Sequence, residues 1–218
     1  MNEQPAEKVW LDPDGRLEVF KIWRTIQGEG PFAGMPAVFI RLAGCNLRCD
    51  WCDTIYTFHR RVMTVKQVVS KVCGLSSSGL VVITGGEPLR QNIGPLVEYL
   101  SMIGYRVQLE TNGTLFHQFL VTGIVHVVCS PKAKTVNSQL CQWVNDWKYV
   151  VKAGAVGSNG LPSNVFLPTT FRRETIWIQP MDEGDVEKNE HNVRAAVSSC
   201  LEHGYRLSLQ IHKLVGVE

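Results

Sequence analysis

The sequence lacks any strong excess of one charge and any long apolar run. Its 22 Lys and Arg against 20 Asp and Glu give a formal net charge of +2, which offers no electrostatic reason to expect binding to nucleic acid or an anionic membrane. No apolar run approaches the roughly 20 residues that cross a bilayer. The first residues have neither the basic start nor the apolar stretch of a signal peptide. We therefore expect a cytoplasmic protein that binds neither nucleic acid nor membranes.

The sequence also lacks the even set of cysteines that a disulfide framework needs. Seven cysteines are present, and three of them, Cys45, Cys49 and Cys52, lie within eight residues. In a reducing compartment, clustered cysteines are more often metal ligands or catalytic thiols. A lone thiol packs as a small apolar side chain, so we interpret the other four mostly as core residues: Cys73, Cys129, Cys141 and Cys200.

Short apolar runs alternate with helical patterns along the chain. Strands are predicted at 37–42, 80–88, 106–113, 126–132, 147–153, 175–181 and 206–214, and helices at 64–75, 92–104 and 187–204. This order predicts a parallel sheet with helical crossovers. The expected fold class is α/β, as a partial (β/α)6-type TIM-like barrel or a strongly curved open parallel sheet with outer helices. We expect residues 1–218 to form a single domain in which residues 1–17 are peripheral.

Polar segments follow five of the predicted strands. In parallel α/β sheets, active sites lie at the carboxyl ends of the strands. The sequence therefore predicts that these five segments converge on one rim: the cysteine loop 45–52, GGEP at 85–88, ETNG at 110–113, SPK at 130–132 and QPMD at 179–182.

The most specific local feature is the run Cys45-Asn-Leu-Arg-Cys49-Asp-Trp-Cys52, which follows Gly44. Most [4Fe–4S] clusters are held by four cysteines, so three would leave one iron open to a small ligand. One alternative is a structural zinc knuckle with a fourth ligand such as His59, although structural zinc sites usually show two short-spaced ligand pairs. The other is an electron-transfer cluster, which would require a fourth cysteine at fixed spacing.

With Trp51 at the aromatic position, this loop resembles the C-x3-C-x-aromatic-C pattern of the radical S-adenosylmethionine (SAM) superfamily. The turn Gly85-Gly86-Glu87-Pro88 is a second feature of that superfamily. The resemblance implies a [4Fe–4S] cluster held by Cys45, Cys49 and Cys52, SAM bound at the open iron, and a 5′-deoxyadenosyl radical. Activating enzymes for glycyl-radical proteins share the loop and the turn, and they are an alternative at this point.

A closer resemblance, over nearly the whole chain, is to the 7-carboxy-7-deazaguanine synthases. It is carried by TIQGEG at 25–30, FIRLAGC at 39–45, CDT at 52–54, ETNGT at 110–114, SPK at 130–132 and QIHK at 210–213. It implies a lyase of queuosine biosynthesis that converts 6-carboxy-5,6,7,8-tetrahydropterin to 7-carboxy-7-deazaguanine with loss of ammonia. It also implies Mg²⁺, regeneration of SAM in each cycle, an electron donor such as flavodoxin or ferredoxin, and a homodimer.

The resemblance assigns a role to each matching residue. SAM contacts are expected from Trp51, Asp53, Gly85, Gly86, Glu87, Ser130, Pro131, Lys132, Gln179, Pro180, Met181 and Asp182. Pterin contacts are expected from Ile26, Gln27, Gly28, Glu29, Arg41, Thr84, Glu110, His212 and Glu218. Thr54 matches the Mg²⁺ ligand, and Glu87 is expected to pair with the SAM ammonium. Arg41 is expected to bind the substrate carboxylate, with a salt bridge to Glu29 or Glu110 as the alternative.

Overall fold

The computed structural model describes residues 3–52, 54–57, 60–76, 79–169 and 172–217. Within these ranges, nine strands form one sheet: β1 Leu17–Ile26, β2 Pro36–Leu42, β3 Arg61–Met63, β4 Leu80–Gly85, β5 Arg106–Thr111, β6 Val125–Cys129, β7 Asp146–Val151, β8 Ile176–Pro180 and β9 Arg206–Leu207. The α-helices are α1 Val65–Leu75, α2 Gly94–Met102, α3 Ser138–Cys141, α4 Val186–His203 and α5 Ile211–Leu214.

The strands lie in the order β3-β1-β2-β4-β5-β6-β7-β8-β9. From β2 to β9 every neighbouring pair is parallel. The expected α/β fold with a curved, open, mostly parallel sheet is confirmed, and β3 and β9 stand at opposite ends of the strand order.

Two strands at one end of the sheet, β1 and β3, were not predicted from the sequence. β1 pairs with both β2 and β3 in the antiparallel sense, so this end is a small antiparallel extension of the parallel sheet. β1 does carry a period-2 signal, since Leu17 and Val19 are buried and Glu18 between them is not. β3 has only three residues and no such pattern.

The last predicted strand, 206–214, is wrong beyond Leu207. Ser208 N still donates to Ile178 O (2.8 Å), but the next bond of a parallel ladder would need an N–H at Pro180, which proline lacks. The chain therefore leaves the sheet and forms the short helix α5. This turn brings Gln210 and His212 to the cavity described below.

The core lies between the sheet and the outer helices. Helix α1 begins at a capping box, in which Thr64 and Gln67 satisfy each other's backbone N–H groups. Its buried Val68 and Val72 join α2 and the strands in one apolar cluster. A second cluster joins β7 and β8 to α4. Helices α1, α2 and α4 thus cover one face of the sheet, and the cavity described below lies on the other.

Candidate active site

A cavity of about 340 Å³ opens at the carboxyl ends of the parallel strands. Strand residues alternate between the core and this cavity, because neighbouring side chains point to opposite faces. Ile83 and Leu109 lie in the core, while the residues after them, Thr84 and Glu110, line the cavity. The other strands contribute lining residues in the same way: Arg41, Val128, Lys148, Val150 and Gln179.

Cys45, Cys49 and Cys52 all line this cavity, in the loop between β2 and β3. Gly44 begins the loop at a φ of 80°, and a Cβ there would lie 2.4 Å from the Arg90 guanidinium. Burial raises the pKa of the Cys45 thiol to about 12 and also raises the pKa of Cys49. Both are therefore thiols at neutral pH until a bound metal displaces their protons.

The other four cysteines lie outside the cavity. Cys129 is buried, and Cys141 and Cys200 are half-buried against the same apolar cluster, as expected for core residues. Cys73 differs, because it is exposed on α1, where the Tyr105 hydroxyl lies 3.7 Å from its Sγ.

The GGEP turn packs directly against the start of the cysteine loop. Gly85 has a φ of 148°, and a Cβ on it would lie 2.2 Å from Leu42 O. A Cβ on Gly86 would lie 2.2 Å from Gly44 O and 2.7 Å from Cys45 Cβ. Only glycines allow this approach, and both line the cavity beside the cysteines.

Glu87 does not reach the cavity, contrary to the expectation that it pairs with the SAM ammonium. Its side chain is fully buried and accepts hydrogen bonds from Asn112 N (2.7 Å), Leu89 N (2.9 Å) and Thr111 Oγ1 (2.8 Å). Burial raises the pKa of Glu87 to about 7, against these hydrogen bonds. Glu87 therefore ties the GGEP turn to the ETNG turn.

Glu110 is the centre of a hydrogen-bonded group on the cavity wall. It accepts from Gln27 Nε2 (3.1 Å), Thr84 Oγ1 (3.0 Å) and Gln108 Nε2 (3.1 Å). Three residues expected in the pterin pocket are thus brought together: Gln27, Thr84 and Glu110. Sequence reasoning missed Gln108, whose only signal was a polar residue within a buried strand.

Glu29 forms an ion pair with Lys148, a residue that sequence reasoning missed. The Glu29 carboxylate also accepts from Gln179 Nε2 (3.3 Å) and Gln210 Nε2 (2.9 Å). Burial acts to raise the pKa of Glu29, but the positive charge and hydrogen bond of Lys148, with smaller contributions from Gln210 and His212, lower it to about 2. Glu29 is therefore ionised and held by protein groups.

Arg41 lines the cavity without the salt bridge to Glu29 or Glu110 considered from the sequence, since the described residues offer it no ion pair. Its Cζ lies 5.1 Å from the Trp23 ring centroid, and Trp23 in turn contacts Phe39 with centroids 5.2 Å apart. The buried Nε of Arg41 has no hydrogen-bond partner in the described structure. A guanidinium in this position is suited to an anionic ligand.

The two segments expected to hold SAM also reach the cavity. Ser130 and Lys132 line it, with Lys132 Nζ donating to Ser130 Oγ (2.7 Å) and lying 4.8 Å from the Trp51 ring centroid, whereas Pro131 is buried behind them. Residues 179–182 line it as well. Asp182 is held by Lys213 (2.5 Å), and this contact lowers the pKa of Asp182 to about 2.

The TIQGEG turn closes against the end of the chain. Ile211 N donates to Gly28 O (3.1 Å), and a Cβ on Gly28 would lie 1.9 Å from His212 Nδ1. Ile26, Thr54 and His212 all line the cavity. Asp53, His59 and Glu218, for which roles were considered, lie outside the described residues.

Comparison with known proteins identifies the family. The Radical SAM superfamily profile matches residues 39–133. The 7-carboxy-7-deazaguanine synthase of Rhodospirillum rubrum is 38% identical over 94% of this chain and 95% of its own length. That of Rickettsia prowazekii is 40% identical over 95% of this chain and 92% of its own length. The chain belongs to the 7-carboxy-7-deazaguanine synthase family. The crystal structure of QueE from Escherichia coli superposes with a TM-score of 0.69 at 25% identity, covering 89% of this chain and 93% of that one.

As a radical SAM protein, a 7-carboxy-7-deazaguanine synthase of this kind uses a [4Fe–4S] cluster and SAM. The residues present fit both groups. The three thiols face one cavity, and Gly44, Gly85 and Gly86 bring bare backbone against them. No cysteine among the other four lies nearby to close the last coordination site.

The fourth ligand of the zinc alternative, His59, lies outside the described residues. A structural zinc ion needs four ligand atoms, each about 2–2.3 Å from one point. Across the described ranges, no three His, Cys, Asp or Glu side chains converge in that way. The family to which the chain belongs, and not the positions of these side chains, favours the [4Fe–4S] cluster over zinc. Separately, no helix in the described part of the chain is long and apolar enough to cross a membrane.

Proposed function

We propose that this chain converts 6-carboxy-5,6,7,8-tetrahydropterin to 7-carboxy-7-deazaguanine with loss of ammonia. The observation that carries the proposal is one cavity whose lining combines two kinds of chemistry. The three cysteines supply thiols, while Glu110, with its partners Gln27 and Thr84, and Arg41 supply polar and charged groups. The full-length similarity to 7-carboxy-7-deazaguanine synthases supports this substrate over a glycyl-radical protein.

When bound, the cluster and SAM supply the electron and the 5′-deoxyadenosyl radical. Cys45, Cys49 and Cys52 would hold the cluster. Gly85 and Gly86 would offer backbone groups to the methionine end of SAM, and Lys132 a positive charge for its carboxylate. Trp51, Ser130 and the segment 179–182 would contact the remainder of SAM, with Pro131 fixing the turn behind Ser130.

The pterin would be recognised by its two polar ends. The Glu110 carboxylate has about four acceptor positions, three of which meet protein donors, so it can still accept from the guanidine-like edge of the ring. Arg41, whose guanidinium has no anionic partner in the described structure, would bind the 6-carboxylate. Trp23 and Phe39 would supply an aromatic wall beside it.

The remaining assignments also belong to this proposal. Thr54 would ligate Mg²⁺ through oxygen, as suits a hard cation that keeps several waters. His212 and Glu218 would complete the pterin pocket from the end of the chain. We further propose a homodimer that takes its electron from a donor such as flavodoxin or ferredoxin and does not bind nucleic acid.

Cysteine variants test the cluster assignment. The Cys49→Ala variant should form no 7-carboxy-7-deazaguanine in an anaerobic assay while keeping the circular dichroism spectrum of the parent protein. Cys73→Ala is the matched control, because Cys73 is exposed and far from the cavity, and it should keep normal turnover. Normal turnover by the Cys49→Ala variant would refute the assignment.

A further inference from the structure

Residues 4–10, here called the N-terminal strap, run along the cysteine loop without regular secondary structure. The sequence predicted that this part of the chain is peripheral. In the structure it contacts the connection between β2 and β3 at two places: at Cys45, in the cysteine loop, and at residues 54–57, here called the last arm.

One side chain, Gln4, accounts for the contacts to the last arm. Its Nε2 donates to Thr54 O (2.9 Å), while its Oε1 accepts from Tyr56 N (2.7 Å) and Thr57 Oγ1 (3.1 Å). Tyr56 O in turn accepts from Gly44 N (2.9 Å), at the start of the loop. The Gln4 amide thus satisfies a backbone carbonyl and a backbone N–H of this irregular segment, as a neighbouring strand would do in a sheet.

The other end of the strap is held by two arginines, Arg60 and the buried Arg90. Glu7 N donates to Cys45 O (2.7 Å), and the Glu7 carboxylate pairs with Arg60 (2.6 Å) and Arg90 (3.5 Å). Arg90 is almost fully buried and donates to Lys8 O (3.0 Å) as well as to Ala43 O (3.0 Å). The same guanidinium therefore holds the strap and the residue before Gly44.

We propose that the N-terminal strap is a positioning element of the cluster site and that Gln4 is the positioning residue for its last arm. The Cys52 thiol lies 3.5 Å from Thr54 O and can donate to it. The Gln4 amide therefore donates to the same carbonyl oxygen that the Cys52 thiol faces, and it ties the segment after Cys52 to the strap. The inference rests on the proposed function where it concerns the cluster, but the contacts themselves do not.

The first test uses the full chain without a cluster, so its outcome does not depend on the proposed function. Gln4→Ala should speed hydrogen–deuterium exchange in peptides covering residues 54–57 by about tenfold, because the three hydrogen bonds of the Gln4 side chain are lost, including the one from Tyr56 N. Lys8→Ala is the matched control, since its backbone contact survives the substitution. Equal exchange in the two variants would overturn the proposal.

The second test uses reconstituted protein. Gln4→Ala should lose iron to a chelator about tenfold faster than Lys8→Ala and should alter the electron paramagnetic resonance change that SAM induces. Gln4→Glu keeps both acceptor contacts and loses the donor to Thr54, so its exchange at Tyr56 should stay slow while its iron loss is fast. If both Gln4 variants keep iron and respond to SAM as the control does, the strap has no positioning role, whether or not the parent protein makes 7-carboxy-7-deazaguanine.

Discussion

Glu29 and Lys148 form an ion pair inside the cavity, between the TIQGEG turn and strand β7. The pair also holds Gln179 and Gln210 through the Glu29 carboxylate. The Glu29 carboxylate thus holds residues from three other segments that are far from it in sequence. The pair has consequences for stability that can be measured.

Breaking this pair from one side should be costly. Glu29→Gln should lower the free energy of unfolding by roughly 3–5 kcal/mol, because it removes the carboxylate that pairs with the buried Lys148 charge. Glu29→Gln with Lys148→Met should recover most of that loss, as measured by urea unfolding. Glu190→Gln breaks an exposed pair with Arg194 and should cost less than about 1 kcal/mol. A Glu29→Gln effect no larger than this control would contradict the buried pairing.

The pair should also set the acid stability of the protein. The pKa of Glu29 is about 2 in the folded state against 4.5 for an ordinary glutamate, so its contribution is complete above 4.5 and is lost as the pH falls towards 2. Urea unfolding should therefore show a large difference in the free energy of unfolding between the parent protein and Glu29→Gln at neutral pH. At a pH between 2 and 4.5 that difference should be smaller. A gap independent of pH would mean that Glu29 titrates normally.

Gly28→Ala should impair catalysis with little effect on folding. The backbone at Gly28 is not in the left-handed region, but a Cβ there would lie 1.9 Å from His212 Nδ1, so the imidazole must move. We expect a fall in kcat/KM of about 100-fold, the scale for a small displacement of a positioned group. Gly74→Ala is the control and should leave kcat/KM unchanged, because a Cβ at this position in helix α1 would meet no atom outside the neighbouring residues and the helix backbone within 4 Å. If kcat/KM is unchanged in both the Gly28→Ala and the Gly74→Ala variants, His212 has no role in the pterin pocket.

Arg41→Lys should not rescue Arg41→Ala. Lysine keeps the charge but cannot present the planar fork that binds a carboxylate through two hydrogen bonds, nor stack on Trp23 in the same way. Steady-state assays should show kcat/KM for 6-carboxytetrahydropterin reduced by about 10- to 100-fold in both variants. Near-normal kcat/KM in Arg41→Lys would show that Arg41 supplies only a charge.

The parallel sheet, and the polar segments at the carboxyl ends of its strands, could be predicted because both are visible as local patterns in the sequence. Each buried strand is a short apolar run, and the polar segment that follows it falls at the carboxyl end. Thr84 after Ile83 and Glu110 after Leu109 show the rule, since one step along a strand changes the face. The cysteine spacing is likewise local, so the cluster loop could be located from sequence alone.

The contacts that join distant segments could not be predicted. Lys148 lies in an apolar strand, and nothing nearby in sequence indicates that Glu29 is its partner. Glu87 sits in a motif that suggested a ligand contact, but its partners Thr111 and Asn112 come from the next strand and the turn after it. The end of β9 is set by the missing N–H of Pro180, on the neighbouring strand.

The most direct test is an anaerobic turnover assay of the parent protein. The cluster is reconstituted and reduced, and SAM, Mg²⁺ and 6-carboxy-5,6,7,8-tetrahydropterin are added while products are followed by mass spectrometry. We predict that 7-carboxy-7-deazaguanine accumulates in excess over the SAM consumed, because the reaction loses only ammonia and SAM is regenerated. Stoichiometric cleavage of SAM to 5′-deoxyadenosine without any deazaguanine would contradict the proposed substrate.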